Sequence, residues 1–255
     1  MPRASVGLVL CVAALGAAAS GGETVDDRAE VVIRGVAIVD VVAGRLIPGQ
    51  DIVVRGTRVE RIAAAGGPLP AAKTTVAGRG KVALPGFLAD GVRLAAFTPA
   101  AMQSLLAHGT TAVQDSGTAP GQLARWRRDL DSGRLYAPRL VESCTPPPAA
   151  AETAPTPAAP DAVHAELARR VAAGHRPIDA LRAVTVDRAR RWCRDGLGAI
   201  AAGAPADLVI VGGNPLDDVA RSRDIDAVVF RGEVFTRAHL NMLAAGSLPL
   251  PTPPH

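Results

Sequence analysis

Asp90, Asp115 and Arg93 are the residues of this chain best placed to do chemistry. Both carboxylates fall near the C-terminal ends of predicted strands, the end at which sites form where parallel strands alternate with helices. With Arg93 they read either as a small charged site for an anion or a cation, or as a structural ion pair capping the strands. The second reading requires nothing beyond the three side chains. The five histidines are His108, His164, His175, His239 and His255. His108 ends a predicted helix, His164 lies on another, His175 sits in a turn and the last two fall in the tail. None stands at a predicted strand end and no two have the close spacing of zinc ligands, so they read as solvated helix-end or loop residues. Ser116, Ser143 and Cys144 have no base nearby in sequence. The chain carries no nucleophile elbow and no glycine-rich phosphate loop.

These residues must be positioned by two kinds of segment. Residues 31–40 read as a strand with a glycine irregularity at Gly35, and 51–54 with 58–62 as a hairpin around Arg55, Gly56 and Thr57. With short strands at 74–76 and 81–84 they predict a small antiparallel sheet. From Phe87 onward the pattern changes to strand, helix, strand, helix, strand. The helices span about 98–107, with Thr98 as N-cap and Pro99 in the first turn, and about 121–132. Such alternation predicts parallel pairing through right-handed crossovers. Residues 145–160 are rich in proline and alanine and read as a linker or surface loop. Helices are predicted over 161–173, with Asp161 as N-cap, and over 176–189. Strands and a closing hairpin follow through about residue 237, and 238–255 reads as a loose tail.

With 255 residues and a formal charge of +4, the chain is long enough for a sizeable core and only mildly basic. The 28 basic residues are spread rather than clustered, so no nucleic-acid partner is implied. Residues 1–20 have Arg3, an apolar run over 6–19 and small residues at the exit, the marks of a signal peptide. A secreted or periplasmic protein is expected, with an uncleaved membrane anchor as the alternative. Once such a signal is removed, Cys144 and Cys193 remain, and they have no metal-site spacing. An oxidising compartment would allow them to pair.

The stretch from Lys81 to Leu94 resembles the joint of the metal-dependent amidohydrolase superfamily, in its imidazolonepropionase-like or prolidase-like branch. There a β-sandwich hands over to a (β/α) barrel at P-G-[LF]-[IL]-D-x-H-x-H-[LF]. Pro85, Gly86, Phe87, Leu88, Val92 and Leu94 fit. Further matches are the run 109–117, similar to the family's G-[VT]-T-[TA]-V-x-D-x-G strand, and Pro138-Arg139-Leu140, similar to its G-P-R-[LV]. The run 198–211 is similar to G-x-I-x-x-G-x-x-A-D-L-V, in which Asp207 reads as a structural residue at a strand start. The resemblance covers about residues 31–141 and 164–237.

It implies an α/β plus β architecture. Residues 24–86 and 196–237 would form a composite β-sandwich built from both chain ends, and 87–195 an incomplete TIM-like (β/α) barrel. A full barrel takes roughly 200–250 residues. Here barrel strands four to eight have no counterpart.

Family members hold one or two divalent metals such as zinc through the His-x-His pair, often with a carboxylated lysine. In this chain the vestigial motif positions are Ala89 for the aspartate and Gly91 and Arg93 for the histidines, alongside Asp90 and Asp115. Glycine offers no ligand atom and arginine stays protonated. Lys73 and Lys81, the only two lysines, precede the barrel segment. The resemblance therefore implies hydrolysis of carbon-nitrogen bonds other than peptide bonds, and the residues imply a catalytically inactive member without a metal. Three alternatives stay open. One is an active hydrolase completed by a self-associating or partner chain that covers the barrel edge. Another is a secreted binding or scaffold protein. The third is a decaying truncated product, with an unpaired strand edge and a half-covered core.

Overall fold

Val31, Val32, Ile33, Val36, Ile38 and Val39 load the strand Ala29–Asp40 (β1) with β-branched residues that pack well on a pleated surface. A computed structural model describes residues 28–142, 144 and 159–247 of the chain. The expected signal peptide, Ser143, nearly all of the proline/alanine stretch, and the end of the tail with His255 lie outside the described residues. Gly35 has a left-handed φ of 68° and makes the irregularity in β1, where the register shifts between Ile33 and Val36. Its N–H donates to Asp51 Oδ1 at 2.7 Å, which pins the bulge from the neighbouring strand.

Arg45–Arg55 (β2) and Arg58–Ala64 (β3) form the expected hairpin, β2 running antiparallel to both β1 and β3. Ala72–Ala77 (β4) and Val82–Pro85 (β5) instead run parallel to β1, so the sheet is mixed rather than antiparallel. The cause is the bend in β1: β4 pairs with its first half and β5 with its second, on the edge away from β2. Leu208–Val211 (β9), Ile225–Phe230 (β10) and Glu233–Thr236 (β11) then extend the sheet from β5. The order is β11-β10-β9-β5-β1-β2-β3, with β4 beside β1, so both ends of the chain share one sheet.

The sheet curls until its β3 edge meets the segment leading into β9. Val59 N–H donates to Ala204 O (2.9 Å), Gly203 N–H to Val59 O (2.7 Å) and Ala206 N–H to Thr57 O (2.9 Å). Val31, Ile33, Ile52, Val54, Leu208, Ile210 and Val229 fill the enclosed face, each 1% exposed or less.

Phe87–Val92 (β6), Thr110–Asp115 (β7) and Arg139–Val141 (β8) form a second sheet, parallel and in sequential order. The helices Pro99–Ala107 (α1) and Pro120–Asp131 (α2) make the crossovers, as the alternation predicts. Thr98 caps α1 by accepting from Ala101 N–H at 3.2 Å. Met102, Leu105 and Leu106 of α1 and Trp126 and Leu130 of α2 pack in the cluster that contains Val113 of β7. Ala112 faces the other way, together with its cross-strand neighbour Leu88.

Ala162–Ala172 (α3), Pro177–Ala183 (α4) and Val186–Arg191 (α5) return the chain to the first sheet. Asp161 makes no side-chain cap on α3. Its carboxylate pairs with Arg223 at 3.0 Å, and that hydrogen bond holds it below the usual carboxylate range. The helix expected over 176–189 is broken after Val184, whose carbonyl accepts from Leu88 N–H at 2.9 Å and so leaves the helical ladder for the edge of β6. Residues 238–247 are not a loose tail. Arg237–Ala244 (α6) is helical, with Leu240 and Leu243 buried against the core that includes α1.

Candidate functional site

The β6 end that carries Ala89, Asp90, Gly91 and Arg93 is shaped by its own backbone. Gly91 sits at φ 67°, a left-handed conformation in which a side chain meets the following carbonyl, and the β6–β7 register shifts between Ala89 and Val92. Ala89 is buried in the apolar core. Arg93 is exposed beyond the strand end. Asp115 turns back on its own loop: Oδ1 accepts from Leu94 N–H (3.3 Å) and Thr118 Oγ1 (2.5 Å), and Oδ2 from Thr118 N–H (2.9 Å). It therefore organises the turn after β7.

Asp90 goes elsewhere. Its Oδ1 accepts from the Trp192 indole Nε1 at 2.6 Å, while Oδ2 lies 2.7 Å from Arg188 Nε and 3.1 Å from Arg191 Nη2. The expected cluster of Asp90, Arg93 and Asp115 is not formed. The carboxylate of Asp90 is drawn to α5, where Arg188 and Trp192 stand one helical turn apart on the same face.

Arg188 is 5% exposed and centres the arrangement. Its Nη1 donates to Leu88 O at 2.5 Å, and its Nη2 lies 3.0 and 2.9 Å from the two oxygens of Glu166 on α3. Arg170 grips Glu166 from the next turn through Nε and Nη2 at 2.9 and 2.8 Å. Burial pushes the Glu166 carboxyl up, but the Arg188 and Arg170 guanidiniums outweigh it and hold the group below its usual range. One face of the three-stranded sheet is closed by the same helix. Trp192, 1% exposed, and Ala189 pack with Leu88, Ala112 and Val141.

Sequence reasoning missed Arg188, Glu166 and Trp192. The available signal was the i, i+4 pairing of Glu166 with Arg170 and of Arg188 with Trp192. Beside it stood an arginine in a helix whose neighbours, Val186 and Ala189, are apolar.

His164 is a further correction. It is 3% exposed rather than solvated, with Nε2 at 2.9 Å from His108 O, Nδ1 at 3.1 Å from Ser222 Oγ and the ring edge-on to Phe87. Burial lowers its pKa to about 4. His175 and His239 are exposed, and His108 folds its Nδ1 back onto Ser104 O at 2.8 Å. Asp207 is structural, as expected, and holds Arg139 through two hydrogen bonds of 2.9 and 2.8 Å. Cys144 and Cys193 form a disulfide.

The residues present do not fit a divalent metal. Among the described residues no group of three or more His, Cys, Asp or Glu side chains is placed to hold one. Both oxygens of Asp90 and of Asp115 are already taken up by donors. Lys73 and Lys81 make surface ion pairs with Glu30 and Asp226 in the first sheet. A cleft of about 420 Å³, lined by Pro99, Gln122, Trp126 and Leu135 with Arg125 and Arg134, draws none of its lining from the strand-end positions.

A mixed sheet shared by both chain ends, with a parallel β/α unit inserted between them, is a fold this chain shares with solved hydrolase structures. Among solved structures, the chain is similar to molinate hydrolase (TM-score 0.70, 12% identity, 84% of this chain and 96% of that one). It is similar in the same way to phenylurea hydrolase B (0.65, 12%, 83% and 98%) and to A. niger ochratoxinase (0.62, 10%, 82% and 96%). No family model and no curated protein matches the sequence.

Proposed function

We propose that this is a secreted protein of amidohydrolase fold that has lost the family's carbon-nitrogen hydrolase chemistry. In this reading the curled sheet is the composite sandwich and β6–β8 are a barrel remnant, with the region of residues 1–20 acting as a signal peptide. Among the described residues, no helix is long and apolar enough to cross a membrane.

The observation that carries the reading is the fate of the β6 end. Where activation of water needs an ion held by neutral imidazoles and carboxylates, the chain has glycine in a left-handed turn and an exposed arginine. Of the two carboxylates there, Asp90 is neutralised by Arg188 and Arg191, and Asp115 is taken up by its own turn. A guanidinium in that place repels a divalent cation.

The neighbours' names favour the opposite reading, an active hydrolase, since molinate hydrolase, phenylurea hydrolase B and ochratoxinase are all hydrolases by name. Metal analysis of the purified secreted chain separates the two. Less than a tenth of an equivalent of zinc, manganese or iron after equilibration and desalting is expected, whereas a retained equivalent overturns the proposal.

A further inference from the structure

Cys193 occupies an unusual place. The helix α5 ends in a two-bond C-terminal motif, Arg194 N–H to Ala189 O (2.9 Å) and Cys193 N–H to Arg190 O (3.0 Å), which puts Cys193 at the left-handed position normally given to glycine. Its φ is 54°, one of two such non-glycine values among the described residues. The sulfur joins it to Cys144, just past β8, and both cysteines are exposed. Immediately before Cys193 stands Trp192, the indole that covers Leu88 and Ala112. Its carbonyl accepts from Cys144 N–H (3.5 Å), and Arg194 Nε donates to Glu142 O at 2.9 Å. The disulfide thus ties the end of β8 to the residue beside the aromatic plug, across 49 positions of sequence.

From this geometry we infer that the Cys144–Cys193 disulfide is a redox latch, opened by a dithiol reductant, that controls access to the face of β6–β8 under Trp192. Exposure makes both sulfurs reachable by an attacking thiolate. Arg191 and Arg194, two positions before and one after Cys193, add positive charge to the segment, and nearby positive charge favours a leaving thiolate. The dithiol's thiolate attacks Cys144 Sγ, the S–S bond breaks, and Cys193 leaves and takes up a proton. The dithiol's second thiolate then resolves the mixed disulfide and releases Cys144 as a thiol. The dithiol is oxidised by two electrons to its own disulfide, and the protein is reduced by two. Once the bond is open, Cys193 can leave its left-handed backbone state, and the motif that ends α5 unwinds beside Trp192. The inference does not depend on whether the chain is a hydrolase.

The test uses the full secreted chain carrying Trp126→Phe, which leaves Trp192 as the only indole. Acrylamide quenching and trypsin cleavage at Arg190, Arg191 and Arg194 are measured with and without excess dithiothreitol, alongside far-UV circular dichroism. Reduction is expected to raise the quenching constant and the cleavage rate severalfold, with the far-UV spectrum kept and both effects reversed on reoxidation. A Cys193→Ser chain should behave as the reduced form without reductant. Unchanged quenching and cleavage after thiol titration confirms reduction would overturn the latch. So would loss of the far-UV signal, because the bond would then be a staple for the whole fold.

Discussion

Replacing Arg188 with methionine removes the one guanidinium that Asp90 and Glu166 share while keeping most of the side-chain volume. In the native chain it touches Asp90 Oδ2 at 2.7 Å, both Glu166 oxygens at 2.9 and 3.0 Å, and Leu88 O at 2.5 Å. Removing one member of a buried ion pair costs about 3–5 kcal/mol, because a charge is left buried without its partner. Asp90 keeps Arg191 and Trp192, and Glu166 keeps Arg170, so the lower end applies, about 3 kcal/mol. With a urea m-value of about 2.5 kcal/mol/M, the midpoint should fall by roughly 1.2 M at pH 7.

The pH dependence sharpens the test. The folded-state pKa of Glu166 is lowered, so its contribution is present above the unfolded carboxyl value, about 4.3, and is lost as pH falls through the folded value. The Arg188→Met chain lacks most of that contribution. Its deficit should therefore be largest near neutrality and narrow on acidification below about pH 4. Adding Glu166→Gln should recover about 1 kcal/mol at pH 7 by removing a half-buried charge left with Arg170 as its only partner. A single variant within about 0.5 kcal/mol of the parent at pH 7, below the cost of any buried pair, would refute the reasoning, as would a deficit that widens in acid.

Gly91→Ala should destabilise by roughly 1–2 kcal/mol in urea melts, since its φ of 67° is a left-handed state that a Cβ penalises. His164, with its pKa lowered by burial to about 4 from 6.5, stabilises the fold above pH 6.5, and that stability is lost as pH falls toward 4. The loss is roughly 3 kcal/mol at most, and a His164→Gln chain should show a flatter stability profile over that window. Leu243→Ala should cost about 3 kcal/mol, because Leu243 is fully buried in a helix; a cost below about 0.5 kcal/mol would restore the picture of a loose tail.

The fold was legible where the chain is punctuated by residues with one local role. Gly35 announced its bulge, Thr98 and Pro99 the start of α1, and the β-branched runs their strands. Alternation after Phe87 implied parallel pairing, and β6-β7-β8 has it. That neither Gly91 nor Arg93 can ligate a metal was equally plain, because it depends on side-chain chemistry and not on placement. What stayed hidden was decided across long sequence distances. Asp90 and Arg188 are about a hundred positions apart, and nothing local to either says that the carboxylate turns to α5 rather than to Arg93. The parallel course of β4 and β5 depends on a bend in β1 whose consequence appears only on its far edge. Asp161 met the local rule for an N-cap, yet a charge partner on the 3-10 turn Val219–Arg223 outcompeted the backbone.

The break in the helix after Val184 bears directly on how three parallel strands stand on their own. Such a sheet has two open edges and one bare face, which led to the expectation of an unpaired edge and a half-covered core. The segment 184–194 answers for the β6 edge and for the bare face. Val184 O accepts from Leu88 N–H and Arg188 donates to Leu88 O, so the β6 edge has both a donor and an acceptor at that residue. Trp192 O receives Cys144 N–H just beyond β8, and the Trp192 ring covers the face opposite α1 and α2. An uninterrupted helix over 176–189 would withdraw the Val184 carbonyl into its own ladder and leave the Leu88 amide buried without a partner, at a cost of about 1–3 kcal/mol. The interruption is therefore a structural requirement of the short sheet. The same residues that complete it, Arg188 and Trp192, are the ones that occupy Asp90.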